Sequence, residues 1–156
     1  MKKQLFTILI LLLGGVTLSP AQSVGDEFSL LQSAFGKDKK AIVAEVLNLS
    51  EDKANNFWPI YESYEFERQL LSKERFLIIN DYLTKFSVIG ELEADNLATR
   101  TMKNDLAMTK LHSRYYKKFK KSVSALDAAK FLQLDTYIHN TIRNAIQQEL
   151  PFLEEF

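Results

Sequence analysis

Two histidines, His112 and His139, are the residues best placed for acid–base or ligand chemistry, and each stands four residues after a potential co-ligand. Met108 precedes His112, and Asp135 precedes His139, so on a helix each pair shares one face. Aspartate with imidazole suits zinc, and thioether with imidazole suits copper. Two ligands on one helix make half a coordination shell, so a partner chain would have to complete it. The Met108–His112 pair could also hold a haem without covalent attachment. The plainer reading is an exposed Asp135–His139 pair and a boundary histidine beside a core methionine, and no cofactor is expected. A di-iron bundle would need Glu-x-x-His, but Thr109 and Thr136 stand three residues before the two histidines. There is no Gly-x-Ser-x-Gly elbow, phosphate-binding glycine loop or His-Glu-x-x-His, and the chain does not read as an enzyme. Glu62 and Glu65 share a face that reads as solvated.

Two further stretches carry binding chemistry. "NNFWPIYESYEFE", Asn55 to Glu67, sets five aromatics around Pro59. Phe57, Tyr61 and Tyr64 fit an inward face, whereas Trp58 and Phe66 fall off it. Trp58, Phe66 and the hydroxyl-bearing Tyr61 are the candidates for contact with a client or partner. Pro59 lies beyond the first turn of its helix and predicts a kink or short break near Trp58. "RYYKKFKK", Arg114 to Lys121, interleaves cations with aromatics. Tyr115 and Phe119 belong to an inward stripe, leaving Arg114, Lys117 and Lys118 for acidic client segments or the surface of an anionic membrane.

These residues need long helices to position them. The chain has 156 residues, with glycine and proline scarce and no strand-like alternation. Apolar residues recur at three- and four-residue steps over four segments. These run from about Asp26 to Leu47 with an interruption at Gly36, Glu51 to Val88, Glu91 to Ser122, and Ala125 to Leu150. Leu97, Thr101, Met108, Leu111, Tyr115 and Phe119 share one face of the third segment; Phe131, Leu134, Ile138, Ile142 and Ala145 share one face of the fourth. At about 1.5 Å per residue the second helix would reach about 55 Å. Such length favours an extended antiparallel arrangement, or a homodimer, over a compact four-helix bundle. The fold class is all-α.

The N-terminus reads as a secretory signal over residues 1–21. Lys2 and Lys3 precede the apolar run Leu5–Val16, and Ser19-Pro20-Ala21 offers a cleavage site, leaving residues 22–156 as one domain. Removing it would leave 18 basic against 20 acidic residues, a balance that gives no reason to expect nucleic acid as a partner. The absence of cysteine excludes disulfides, thiolate metal sites, a thiol nucleophile, c-type haem and a lipidated cysteine anchor.

Two helix starts are alike: Leu49-Ser50-x-x-Lys53 and Val123-Ser124-x-x-Asp127, each with a serine N-cap. At an offset of 74 they also align Ala54 with Ala128, Phe57 with Phe131, Ile60 with Leu134 and Tyr64 with Ile138, a weak internal repeat. With the signal and the cysteine-free helical pattern, these motifs resemble the Leu-Thr-x-x-Gln copies of the Spy/CpxP periplasmic family. The Phe-Trp-Pro-x-Tyr segment looks like that of an uncharacterised exported subgroup. The similarity runs over about Lys39 to Glu154, and neither copy keeps the glutamine. The resemblance implies a long-helix fold, often a cradle-shaped homodimer. It also implies a periplasmic, ATP-independent chaperone or envelope-stress accessory acting on unfolded or dedicated envelope polypeptides. Some relatives of this fold bind metal ions, so the alternative is a periplasmic metal-responsive sensor or regulator subunit.

Overall fold

The computed structural model describes residues 37–153, and the proposed signal segment and the start of the first helical segment lie outside them. Four α-helices follow one another: α1 (Lys39–Leu47), α2 (Glu51–Lys85), α3 (Glu91–Ser122) and α4 (Ala125–Gln147). No strand occurs among the described residues. The all-α reading holds.

Local chemistry sets each boundary. Asp38 caps α1 by accepting from the Ala41 N–H at 2.8 Å. The helix ends where Asn48 takes a left-handed conformation (φ 43°), which asparagine tolerates better than most residues. Ser124 caps α4 by accepting from the Asp127 N–H at 3.0 Å, and its hydroxyl donates to Asp127 Oδ2 at 2.7 Å. Ser50 stands at the N-cap of α2, but its side chain makes no capping bond, so the two motif copies differ in chemistry. A single 3₁₀ turn, Phe86–Val88, follows α2, which ends three residues earlier than the sequence pattern suggests. α4 likewise stops at Gln147, with turn bonds from Glu149 and Leu150 preceding Pro151.

The break expected at Trp58 does not occur: α2 is helical throughout, with Pro59 inside it. Asn55, whose carbonyl loses its partner, and Pro59 are both exposed, so water can satisfy that carbonyl.

α2 and α3 form a long antiparallel hairpin, α4 returns along α3, and α1 packs on α4. α2 and α4 therefore run parallel, starting at the same end. There the offset of 74 is physical: Lys53 Nζ meets Asp127 Oδ2 at 2.6 Å, and the Phe57 and Phe131 rings meet edge to face at 5.5 Å. An aromatic core closes this proximal end. Phe57, Tyr61, Tyr64, Tyr115, Phe119 and Phe131 are all buried, with Phe57 stacked on Phe119 at 4.8 Å and Phe119 against Phe131 at 4.7 Å. Val43 and Leu47 of α1 seal it. The predicted inward stripes are largely found, with Ala145 as an exception that lies exposed.

Candidate functional site

At the inner edge of the aromatic core, polar side chains from all four helices converge. Asp135 of α4 is the centre, with 0% of its surface exposed. The Lys39 ammonium of α1 lies 2.6 Å from its Oδ1. On the other oxygen, Tyr64 of α2 donates its hydroxyl, and His112 Nε2 of α3 stands 3.1 Å away. Lys39 also donates to Glu65 at 2.9 Å, and Glu65 accepts from the buried Arg68, which reaches Ser72 at 2.9 Å. Two cations and two carboxylates balance.

The electrostatics follow from that balance. Burial alone would raise the Asp135 carboxyl, but Lys39 together with His112 and His139 holds it well below the usual carboxylate range. Glu65 is held low in the same way by Lys39 and Arg68 against its burial. Burial pushes the Tyr64 hydroxyl far up, with Asp135 adding to the shift, so Tyr64 is a fixed donor. His139 has its pKa lowered to about 3, chiefly by burial, which outweighs the attraction of Asp135. Its Nε2 lies 3.7 Å from Asp135 Oδ2 and makes no hydrogen bond.

Several expectations change here. Asp135 is not an exposed partner of His139 but a buried ion-pair centre, since a carboxylate can leave water when a lysine and a tyrosine complete its shell. Glu65 is likewise buried in this network, whereas Glu62 stays exposed and pairs with Lys40. The structure does bring His112, Asp135 and His139 together, but the Lys39 ammonium already neutralises the carboxylate that a cation would need. Among the described residues no group of three or more His, Cys, Asp or Glu is arranged to hold a metal ion. Met108 packs beside the aromatic core.

The candidate client-binding residues separate. Tyr61 is 3% exposed and belongs to the core, not to a contact surface. Trp58 is half-buried, edge-on to Phe57 and Tyr61, with the Lys40 ammonium 5.2 Å from its ring centre. Phe66 is free of the core, 66% exposed on the outer face of α2. Arg114 pairs with Glu67, which also accepts from the Tyr115 hydroxyl at 2.7 Å, and Lys118 lies over the Tyr115 ring at 4.3 Å. Burial and then Glu67 raise the Tyr115 hydroxyl to about 12. Lys117 is exposed.

Beyond this cluster a cavity of 670 Å³, open to solvent along one side, lies among residues of α2, α3 and α4. Its walls are mainly aliphatic, including Ile79, Leu97, Ile142 and Ile146. The segment after α4 bends over its far end, where the Tyr82 hydroxyl donates to the Pro151 carbonyl. His139 forms part of the wall nearest the ionic cluster. Polar groups gather near that end: Arg75, Asp105 and Arg143, with Asn104 buried and donating to the Leu71 carbonyl at 2.9 Å. Helical periodicity carries little sign of the cavity, because its lining is assembled from residues of three helices and not from any motif. Comparison with known proteins returns no match: no family model, no curated protein and no solved structure matches this chain.

Proposed function

We propose that this chain is an exported, non-enzymatic binding protein whose site is the cavity between α2, α3 and α4. The observation that carries the proposal is a largely apolar cavity of 670 Å³, open along one side, in a helical domain whose other end is filled with aromatic side chains. That volume lies within the ~300–1,000 Å³ usual for small-molecule sites. The polar groups beside it suit binding more than reaction. Guanidinium and amide side chains do not exchange protons near neutral pH, and His139 is too weak a base to take one. Export rests on the sequence, through Lys2, Lys3 and the apolar run that follows. The test is titration of the purified protein with the uncharged apolar fluorophore N-phenyl-1-naphthylamine. Fluorescence should rise on binding, and Ile79→Asp, which sets a charge on the aliphatic wall, should weaken binding at least tenfold. No rise in the native protein, or a rise unaffected by Ile79→Asp, refutes the reading.

A second reading, a polypeptide-binding chaperone of the Spy/CpxP kind, is favoured by a separate feature. Phe66, Leu70 and Leu77 form an exposed apolar stripe along the outer face of α2. Suppression of client aggregation that is lost in Phe66→Ser/Leu70→Ser would support it. Loss of self-association in the same variant, measured by sedimentation, would assign the stripe to a homodimer seam instead.

A further inference from the structure

The polar groups beside the cavity are not balanced as those of the buried cluster are. Arg75 and Arg143 share one carboxylate, Asp105. Arg143 Nη2 donates to Asp105 Oδ2 at 3.0 Å, while Arg75 Nη1 has Asp105 Oδ1 at 3.4 Å and makes no hydrogen bond. That Arg75 nitrogen is out of contact with solvent. Arg100 of the neighbouring turns differs, being served by both Glu74 and Asp81. Arg75 is correspondingly held below its ordinary pKa, first by burial and then by the charge of Arg143. The cavity thus presents one uncompensated positive charge at the edge of a long aliphatic space.

We propose that the ligand is an amphipathic monocarboxylate, its acid group paired with Arg75 and Arg143 and its aliphatic chain lying along Ile79, Leu97 and Ile146. The inference rests on the cavity being a binding site. A single negative charge restores the balance around Asp105, and a planar carboxylate matches the fork of a guanidinium donor. The length also fits. The cavity follows α3 from Asp105 back to Ala94, about 16 Å at the rise of an α-helix. With C–C bonds of ~1.5 Å in a zigzag, that is the span of an extended chain of roughly 12 carbons. An uncharged chain would fill the same space and leave Arg75 Nη1, the buried nitrogen of a partly exposed guanidinium, without a hydrogen-bond acceptor.

The experiment compares dodecanoate with dodecanol, each displacing N-phenyl-1-naphthylamine from the full chain, below their critical aggregation concentrations. Dodecanoate is expected to bind at least tenfold more tightly than dodecanol. That preference should vanish in Arg75→Met, persist in Arg100→Met, and be partly retained in Arg75→Lys, which keeps the charge and guards against a folding defect. Equal affinity for acid and alcohol, or an acid preference that survives Arg75→Met, overturns the assignment of the head group while leaving the cavity reading intact. Binding of the fluorophore with displacement by neither compound overturns the aliphatic ligand class. Failure of the fluorophore itself to bind would defeat the underlying cavity reading, and this proposal with it.

Discussion

Lys39 and Asp135, drawn from opposite ends of the described chain, form a 2.6 Å ion pair with 6% and 0% of their surfaces exposed. Removing one partner strands a charge in a low-dielectric interior. Asp135→Ala should therefore lower stability by about 3–5 kcal/mol, read as a reduced urea midpoint. The double variant Lys39→Met/Asp135→Leu should recover much of that loss, because a filled apolar site carries no desolvation cost. A double variant as unstable as the single one would show that the pair is not what holds this region.

Stability should fall on acidification from near pH 6.5 downward. His139 is neutral in the fold with its pKa lowered to about 3, so below its ordinary value of 6.5 the unfolded chain binds a proton that the folded chain refuses. Asp135, held low, adds a second loss as the pH falls below the ordinary carboxylate range. The groups facing His139 are Lys39 of α1, Glu65 and Arg68 of α2, and Asp135 of α4, and these carry no net charge when His139 is neutral. The imidazole is 20% exposed, so the loss between pH 7 and pH 4 should be about 2 kcal/mol, below the ideal linkage value. Thermal melts over that range should show a lower Tm at acid pH, with a flatter profile in His139→Gln. Equal slopes for the two proteins would count against the assignment.

Phe57 and Phe66 stand in one aromatic run but should respond differently. Phe57→Ala should cost about 3–5 kcal/mol, since the ring is buried against Phe119 and Phe131. Phe66→Ala should change stability by no more than about 0.5 kcal/mol. Chemical denaturation of the two variants checks both values.

The two serine motifs should separate in the same assay. Ser124→Ala removes a bond to the Asp127 N–H and should cost about 1 kcal/mol. Ser50→Ala should be nearly neutral, because that hydroxyl caps nothing.

Much of the scaffold was legible in the sequence because helical periodicity reports burial directly. The stripe from Leu97 to Phe119 and the inward placing of Phe57, Tyr61 and Tyr64 are examples. The ionic centre was not legible, because Asp135 looks like any solvent-facing acid until Lys39 and Tyr64 arrive from other helices. Pro59 did not break its helix: a penalty counted locally was outweighed by the packing of Phe57, Tyr61 and Tyr64 on either side of it. Leu97 and Ile142 were read as core, and both also border the cavity, which periodicity within one helix does not report.

The turn after α4, fastened where the Tyr82 hydroxyl meets the Pro151 carbonyl, has a kinetic consequence. Local openings cost less free energy than global unfolding. Tyr82→Phe deletes this one tie and leaves the aromatic end untouched, so amide exchange should quicken in the residues after α4 while the unfolding midpoint stays nearly unchanged.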